Sequence, residues 1–445
     1  MNRPALALVV CLGAAPAAGA DERTARVLDK ISAERIGRNI ETLAGFGTRN
    51  TLSATDDAKR GIGAARRWIK DEMERAAKDS GGRLKVEFDA FTTPAGPRVP
   101  KPTEVVNVLA WLEGKDPASR NRIYVVSGHY DSRASDTLDV TSDAPGANDD
   151  GSGTALVLEL ARVLAGEDFD ATIVFAAVAG EEQGLLGAEH LAARLKAEGK
   201  DVAGMFTNDI VGSSRGADGT LDGTRVRLFS EGLPAAADEA EFKTLMGVGG
   251  ENDSPSRNLA RFVKAVAEQV ETTFSVDLVF RRDRYLRGGD HIAFNKLGYA
   301  AVRFTEPNEN YAHQHQDVRV ENGVRYGDLP EFVDVAYVAR VARVNAAALI
   351  ALASAPAPPR NVTVDTKALT SDTTLSWDKG VEADLAGYRI HVRATTAPLW
   401  EKSYDVGLVT TYTFKGLSKD NAIFGAASVD NDGHASPAVF PRPSK

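Results

Sequence analysis

The stretches "IYVVS" (residues 123–127), "TALVLELARVL" (154–164) and "IVFAAV" (173–178) decide the fold of this chain. The first and third are short, dense runs of β-branched and aliphatic residues, as expected of buried strands. Between them, apolar residues recur at helical spacing. Strands that alternate with helices in this way predict a mostly parallel sheet that is covered on both faces.

The same alternation continues on both sides of these stretches. Further helices are predicted at 24–45, 55–79, 185–198, 256–271 and 330–353, and further strands at 105–112, 206–211 and 300–304. The sequence therefore predicts an α/β domain over residues 21–354, with a mostly parallel sheet sandwiched by helices. In such sheets, ligands bind at the loops beyond the carboxyl ends of the strands.

The composition changes at residues 355–360, where three prolines form a stiff linker. Beyond it, helical periodicity stops and short strands alternate with turn residues, which predicts a small all-β sandwich over 361–445. This segment resembles a fibronectin type III domain, with Trp377 and Tyr388 as core aromatic residues. A contact between this domain and a surface or polymer stays open at this stage.

The first twenty residues have the pattern of a secretory signal peptide. Arg3 precedes an apolar stretch, and small residues lead to Ala18-Gly19-Ala20 before Asp21. The apolar stretch is too short for a stable membrane span. The only cysteine, Cys11, lies inside this segment, so any metal must be held by nitrogen and oxygen ligands. We expect a secreted protein, periplasmic or extracellular, without a membrane span. The net charge of −9 argues against a nucleic-acid partner.

Polar residues are concentrated where the predicted strands end. They are His129, Asp131, Asp149, Asp150, Glu181, Glu182, Asp209, His313 and His315. Imidazole and carboxylate groups are zinc ligands, and a shared carboxylate can join two ions in one site. The adjacent Glu181 and Glu182 can divide their roles, since one can bind metal while the other accepts a proton from water. Asp131 is placed to hold the second ring nitrogen of His129.

The runs "GHYDS", "GANDDGSG", "AGEEQGLLGAEH", "ND" and "HQHQD" resemble, in this order, the zinc peptidases of family M28, over roughly residues 35–350. The resemblance implies that His129 and Asp209 bind one zinc ion and that Glu182 and His313 bind a second. It further implies that Asp149 bridges the two ions and precedes a cis peptide bond.

The last ligand is the least determined, and His315 competes with His313 for this role. The family pattern places the histidine four residues before an aspartate, and counting back from Asp317 gives His313. Asp290-His291 resembles a family element near the specificity pocket and is expected to support the ligands or line the substrate site. His190, His391 and His434 are not assigned to the site.

The function that this resemblance implies is hydrolysis of N-terminal peptide bonds in peptides or proteins. Two zinc ions would activate a bridging hydroxide, with Glu181 as general base. Three alternatives remain open. A carboxypeptidase would need cations such as Arg281, Arg282, Arg284 and Arg287; a glutaminyl cyclase would retain a single zinc; and a non-catalytic module would use the fold only for binding.

Overall fold

The protein is described by a computed structural model that covers residues 22–444. The predicted signal peptide, residues 1–20, lies outside the described residues. The helices are α1 (Glu22–Asp29), α2 (Ala33–Gly45), α3 (Gly61–Asp79), α4 (Gly151–Leu164), α5 (Leu186–Ala197), α6 (Glu239–Val248), α7 (Pro255–Val270), α8 (His291–Asn295) and α9 (Val335–Ser354). Short 3₁₀ helices span Gly250–Asn252 and Pro330–Phe332.

The strands of the first domain are β1 (Leu84–Thr93), β2 (Thr103–Leu112), β3 (Arg122–His129), β4 (Thr172–Val178), β5 (Asp201–Asn208), β6 (Arg225–Ser230), β7 (Ser275–Val279), β8 (Ala301–Thr305), β9 (Arg319–Glu321) and β10 (Val324–Tyr326). Those of the second are β11 (Thr363–Val364), β12 (Thr373–Ser376), β13 (Leu385–Ala394), β14 (Lys402–Gly407), β15 (Thr411–Phe414), β16 (Ala422–Asp430) and β17 (Arg442–Pro443).

Eight strands form the central sheet in the order β1-β2-β4-β3-β5-β8-β6-β7. The middle four, β4, β3, β5 and β8, are mutually parallel, whereas β1, β2 and β6 introduce antiparallel pairs. The carboxyl ends of these four strands therefore meet at one edge of the sheet. This arrangement confirms the predicted α/β fold class and places the polar residues that follow β3, β4, β5 and β8 side by side.

Both faces of the sheet are covered by helices. The larger core packs α2, α3, α4, α7 and α9 on one face, and the smaller core packs α5 and α8 on the other. Burial on both faces explains why β3 and β4 lack the alternation of polar and apolar residues that half-exposed strands show. Among the described helices, α9 alone is long and apolar enough to cross a membrane, but it is mostly buried as the central core helix.

Several predicted boundaries differ from the structure. The helix predicted at 24–45 is divided into α1 and α2, and the helix predicted from residue 55 begins only at Gly61. The strands β1, β6 and β7 and the helix α6 were not predicted. These strands lie at or near the edges of the sheet, where exposed positions interrupt the apolar runs by which buried strands are recognised.

The C-terminal residues form two small sheets, β15-β12-β11-β17 and β14-β13-β16. Their shared core includes Trp377 and Tyr388, whose ring centroids lie 5.2 Å apart. Both rings are buried, so they are core residues of a β-sandwich. The strand β14 was not predicted, since its side chains are mostly exposed.

Candidate metal centre

Two groups of potential ligands meet at the carboxyl edge of the central sheet. The first consists of His129, Asp149 and Asp209, and the second of Asp149, Glu182 and His315. Within each group, one nitrogen or oxygen atom per residue lies within 4.8 Å of the others. Asp149 belongs to both groups. The residues come from the ends of β3, β4 and β5, from the loop before α4 and from the loop after β8.

The two carboxylate oxygens of Asp149 face different histidines. Its Oδ1 atom lies 3.1 Å from His129 Nε2, and its Oδ2 atom lies 3.0 Å from His315 Nε2. His315 Nε2 is also 3.0 Å from Glu182 Oε1, and His129 Nε2 is 3.9 Å from Asp209 Oδ1. A carboxylate that faces two ligand groups with separate oxygens has the geometry of a bridge between two metal ions.

The structure corrects the prediction for the last histidine. The prediction that His313 lies in this group is wrong, because His315 takes that place. The ring of His313 instead stacks on Phe332 at a centroid distance of 3.7 Å, and partial burial lowers its pKa. His315 has a positive φ of 52°, in a loop without repeating pattern. The spacing from Asp317 therefore could not identify which of the two imidazoles lies in the ligand group. The Asp317 carboxylate accepts hydrogen bonds from the backbone N–H and the hydroxyl group of Ser135.

The loop that carries Asp149 is held by two further carboxylates. Asp150 caps α4 by accepting a hydrogen bond from Gly153 N at 3.0 Å. Its other carboxylate oxygen accepts a hydrogen bond from His129 N, at the end of β3, at 2.9 Å. Asp328, which the sequence analysis missed, accepts hydrogen bonds from Asp149 N at 2.7 Å and Asn148 N at 2.9 Å. The peptide bond between Asp149 and Asp150 is cis, as the family resemblance implied. No local signal pointed to Asp328, because it is remote in sequence.

Asp131 connects the ends of β3 and β4. Its Oδ1 atom lies 3.4 Å from His129 Nδ1, and the backbone oxygen of Asp131 lies 3.1 Å from the same nitrogen. The Asp131 carboxylate also accepts hydrogen bonds from the backbone N–H groups of Glu181 and Glu182, at 3.3 and 3.2 Å. Asp131 therefore stands where the sequence placed it, and it also fixes the glutamate pair.

Burial and mutual charge shift the pKa values of the cluster. Burial would lower the pKa of His129, but Asp131 and Asp149 raise it well above its usual range. Burial likewise opposes the charged form of His315, whereas Glu182 and Asp149 raise its pKa to about 10. Burial raises the pKa of Glu181 well above its ordinary value. The charge of His129 lowers this pKa, whereas the charges of Asp209 and Glu182 raise it further. The cluster thus holds Glu181 as a group that readily takes up a proton.

Further buried charges stand behind the ligands. Asp290 and His291, predicted to support the ligands or line the substrate site, are both fully buried. Burial raises the pKa of the Asp290 carboxyl to about 7 and lowers that of His291 to about 4. Arg303, in the middle of β8, was not predicted, and its Nη2 atom lies 2.9 Å from Asp209 Oδ1. His190, His391 and His434 bind Asp89, Ser403 and Asp430, away from the site.

The donor atoms fit zinc. His129 Nε2 and Glu182 Oε1 are buried, yet neither makes a hydrogen bond within the described part of the chain. A tetrahedral zinc ion with bonds of about 2.0–2.1 Å places its ligand atoms roughly 3.3 Å apart. Three observed separations, of 3.0, 3.0 and 3.1 Å, are close to that value, and the separation of 3.9 Å between His129 Nε2 and Asp209 Oδ1 is longer. All the donors are nitrogen and oxygen atoms, as zinc accepts.

The chain is similar to known zinc peptidases. The model of peptidase family M28 matches residues 107–322. A probable zinc metalloprotease of Leptosphaeria maculans is 50% identical over 423 residues, which cover 95% of this chain and 97% of that relative.

Two solved structures share the fold at low identity. The LapA aminopeptidase of Legionella pneumophila has a TM-score of 0.52 and 20% identity over 75% of each chain. The glutaminyl cyclase of Fimbriiglobus ruber has a TM-score of 0.50 and 22% identity, over 72% of this chain and 94% of its own. One fold thus carries two reactions, so the choice between them depends on the site.

Proposed function

The chain belongs to peptidase family M28, and on this premise we propose that it is a two-zinc aminopeptidase that hydrolyses N-terminal peptide bonds. One observation carries the proposal: the two ligand groups share Asp149, with a separate oxygen turned toward each. His129 and Asp209 would hold one ion with Asp149, and Glu182 and His315 the other. Zinc bound there would lower the pKa of a water molecule and polarise the carbonyl group of the substrate.

Glu181 is the general base of this proposal. It is half-buried, its backbone is held by Asp131, and its carboxylate is close enough to His129, Asp209 and Glu182 for their charges to shift its pKa. As the water oxygen bonds to the carbonyl carbon, Glu181 takes the released proton. It then delivers that proton to the leaving nitrogen as the carbon–nitrogen bond breaks, which balances the reaction. The raised pKa of Glu181 supports this double role, because the group can hold the proton between the two steps.

The arginines near the site favour an aminopeptidase over a carboxypeptidase. Arg284 and Arg287 both pair with the buried Glu309, at 2.9 and 2.6 Å. Arg281 donates to the backbone oxygen of Asp283 and packs over Tyr285. These three guanidinium groups are already bound within the protein, so they are poor candidates for gripping a substrate carboxylate, and the fourth candidate, Arg282, is exposed beside Glu231. An N-terminal ammonium group would instead meet a site rich in carboxylates.

The first experiment measures zinc content together with hydrolysis of leucine p-nitroanilide, with and without a chelator. We expect about two zinc ions per chain and chelator-sensitive release of p-nitroaniline. N-acetyl-leucine p-nitroanilide is the matched substrate without a free amine and should not be cleaved. Two zinc ions with cleavage only of N-blocked dipeptides would indicate a carboxypeptidase. One ion with cyclisation of N-terminal glutamine would indicate a glutaminyl cyclase, and an absence of zinc would refute the proposal.

The proposal also includes secretion of the protein and the type of its C-terminal sandwich. Residues 1–20 direct secretion, which N-terminal sequencing of the exported protein would test by finding a start at or near Asp21. The C-terminal sandwich is a fibronectin type III-like domain. Its strand pattern, with Trp377 and Tyr388 packed in the core, supports this assignment.

A further inference from the structure

Arg303 is a buried cation in the centre of the main sheet. Its strand neighbours Val302 and Phe304 are apolar, and all three side chains are fully buried. An isolated guanidinium group in such a place would be strongly unfavourable, and an apolar residue would fill the position more cheaply in free energy. The reason for an arginine here must therefore lie in what it contacts.

The guanidinium group lies between two carboxylates. Its Nη2 atom is 2.9 Å from Asp209 Oδ1, and its Nη1 atom is 3.3 Å from Asp283 Oδ2. Its Nη1 atom also donates to the backbone oxygen of Gly288. A Cβ atom on Gly289 would lie 2.6 Å from Arg303 Nη1, so a side chain at this position would displace the guanidinium group. The loop before α8 is thus built against the guanidinium group.

Only one of the two carboxylates belongs to the candidate metal centre. The oxygen of Asp209 that Arg303 binds is the one that lies 3.9 Å from His129 Nε2. The same oxygen therefore faces both the guanidinium group and the first ligand group. In the second group, no arginine within residues 22–444 binds the carboxylate of Asp149 or Glu182. The first ligand group therefore has a guanidinium group on one of its carboxylates, whereas the second has none.

We propose that Arg303 is a positioning residue that holds the Asp209 carboxylate in place and offsets its charge. A zinc ion bound with His129, Asp149 and Asp209 is then held less tightly than it would be without the charge of Arg303. This inference rests on the proposed function. Two effects of Arg303 oppose each other. Fixing the carboxylate favours the metal, whereas a positive charge a few ångströms away repels it in a medium of low dielectric constant. The free energy of the repulsion between the guanidinium group and the zinc ion is larger than the free energy gained by ordering one side chain.

The test compares the zinc affinity of variants by competition with a chelator of known affinity. Arg303→Met removes the charge and keeps the length of the side chain. The affinity for the zinc ion held with His129, Asp149 and Asp209 should then rise about tenfold, because the positive charge that repels this ion is gone. Asp283→Asn should weaken the binding of the same zinc ion, because Asp209 is then the only carboxylate that balances the charge of Arg303. Arg303→Lys keeps the charge, so its zinc affinity should stay within about threefold of the wild-type value.

Arg227→Met is the matched control. Arg227 also pairs with a buried carboxylate, Glu309, at 2.9 Å, but it contacts no candidate ligand, so its loss should leave zinc affinity unchanged. A purely structural role for Arg303 would lower the thermal stability of the zinc-free and zinc-loaded protein equally, with no gain in affinity. Unchanged or weaker zinc binding in Arg303→Met would overturn the inference, as would tighter binding in Asp283→Asn. If the wild type binds no zinc, the proposed function fails first, and the two failures are thereby distinguished.

Discussion

At the scale of single residues, Glu181 and Glu182 show how neighbours can carry different chemistry. Glu182 is buried with its Oε1 atom 3.0 Å from His315 Nε2, whereas Glu181 is half-buried and belongs to neither ligand group. Both backbone N–H groups are held by Asp131, yet only the Glu182 carboxylate joins a ligand group. The proposed division into ligand and base follows from this difference.

Glu181→Gln tests the base directly. The amide has the same shape but cannot accept the proton, so kcat should fall by about 10²- to 10⁴-fold. Zinc content and the temperature of thermal unfolding should match the wild type, because Glu181 is in neither ligand group. Kinetics on leucine p-nitroanilide and metal analysis of the same sample provide both readouts. Turnover near the wild-type value would remove Glu181 from the mechanism.

The two histidines of the loop after β8 offer a matched pair. His315→Ala removes the only histidine of the second ligand group, so the protein should lose one of the two zinc ions of the proposed centre and most of its activity. His313→Ala removes a ring that stacks on Phe332, so it should retain both ions and lose only packing energy, about 1 kcal/mol. Zinc analysis of both variants measures the difference. The reverse pattern would restore His313 as the ligand.

At the scale of elements, the carboxyl ends of β3, β4, β5 and β8 bring the ligands together, but loops hold them. The segment before α4 has no regular structure, and it is fixed by Asp150 within the loop and Asp328 from outside it. Asp328 is buried, and burial raises its pKa to about 7. Its two backbone hydrogen bonds are therefore made in a medium of low dielectric constant, where they are strong.

Asp328→Asn tests whether this support matters. The amide presents an N–H group to the backbone donors of Asn148 and Asp149, so at least one hydrogen bond is lost and the Asp149 carboxylate is misplaced. We expect zinc affinity to fall by about 10- to 100-fold. The control is Asp334→Asn, which alters a similar carboxylate that caps α9 away from the ligands. Asn caps a helix about as well as Asp, so that variant should change stability by roughly 0.5 kcal/mol or less and leave zinc affinity unchanged.

At the scale of the whole molecule, the C-terminal sandwich is docked by buried charges. Arg393 Nη2 lies 2.5 Å from Asp253 Oδ2, and the other oxygen of Asp253 lies 3.1 Å from Arg261 Nη1. A second buried pair joins Arg122 and Glu382 at 3.2 Å. All these side chains are at most 5% exposed, so the ion pairs are buried where the sandwich packs against the rest of the chain. The sandwich is therefore an integral part of the structure.

Arg393→Met should destabilise the whole protein. Asp253 would keep Arg261 but lose half of its compensation, so the free energy of unfolding should fall by about 3 kcal/mol. Urea unfolding measures the change. Arg389→Met is the control, because Arg389 pairs with Asp405 on the exposed side of the same strand, and such pairs contribute at most about 1 kcal/mol. Equal losses in the two variants would contradict a structural role for the interface.

Deletion of residues 355–445 should accordingly abolish soluble expression. The truncation would expose the apolar surface, leave Arg122 without Glu382, and remove Arg393 from Asp253 and the backbone oxygen of Pro398 from Arg261. Solubility and circular dichroism of the truncated chain measure the outcome. A folded, active truncated protein would instead identify the sandwich as an independent module, available for binding a surface or polymer.

The sequence by itself determined the fold class and most of the cluster. His129, Asp131, Asp149, Glu181, Glu182 and Asp209 became candidates because each lies within a few residues of a buried parallel strand or a helix start, and the family resemblance selected Asp149 over Asp150. In a parallel sheet such positions converge at one edge whatever the loops do. Local patterns are sufficient where regular elements fix the geometry.

Only the tertiary structure decided the rest. The choice of His315 over His313 depends on how an irregular loop packs against Phe332. Asp328 and Arg303 act on ligands that are distant in sequence, at separations of 179 and 94 residues from Asp149 and Asp209. A carboxylate or guanidinium group carries no local sign of a partner that folding brings to it from another element. Their roles follow from burial, since a buried charge must find a counter-charge or hydrogen bonds, and the fold alone determines which ones are near.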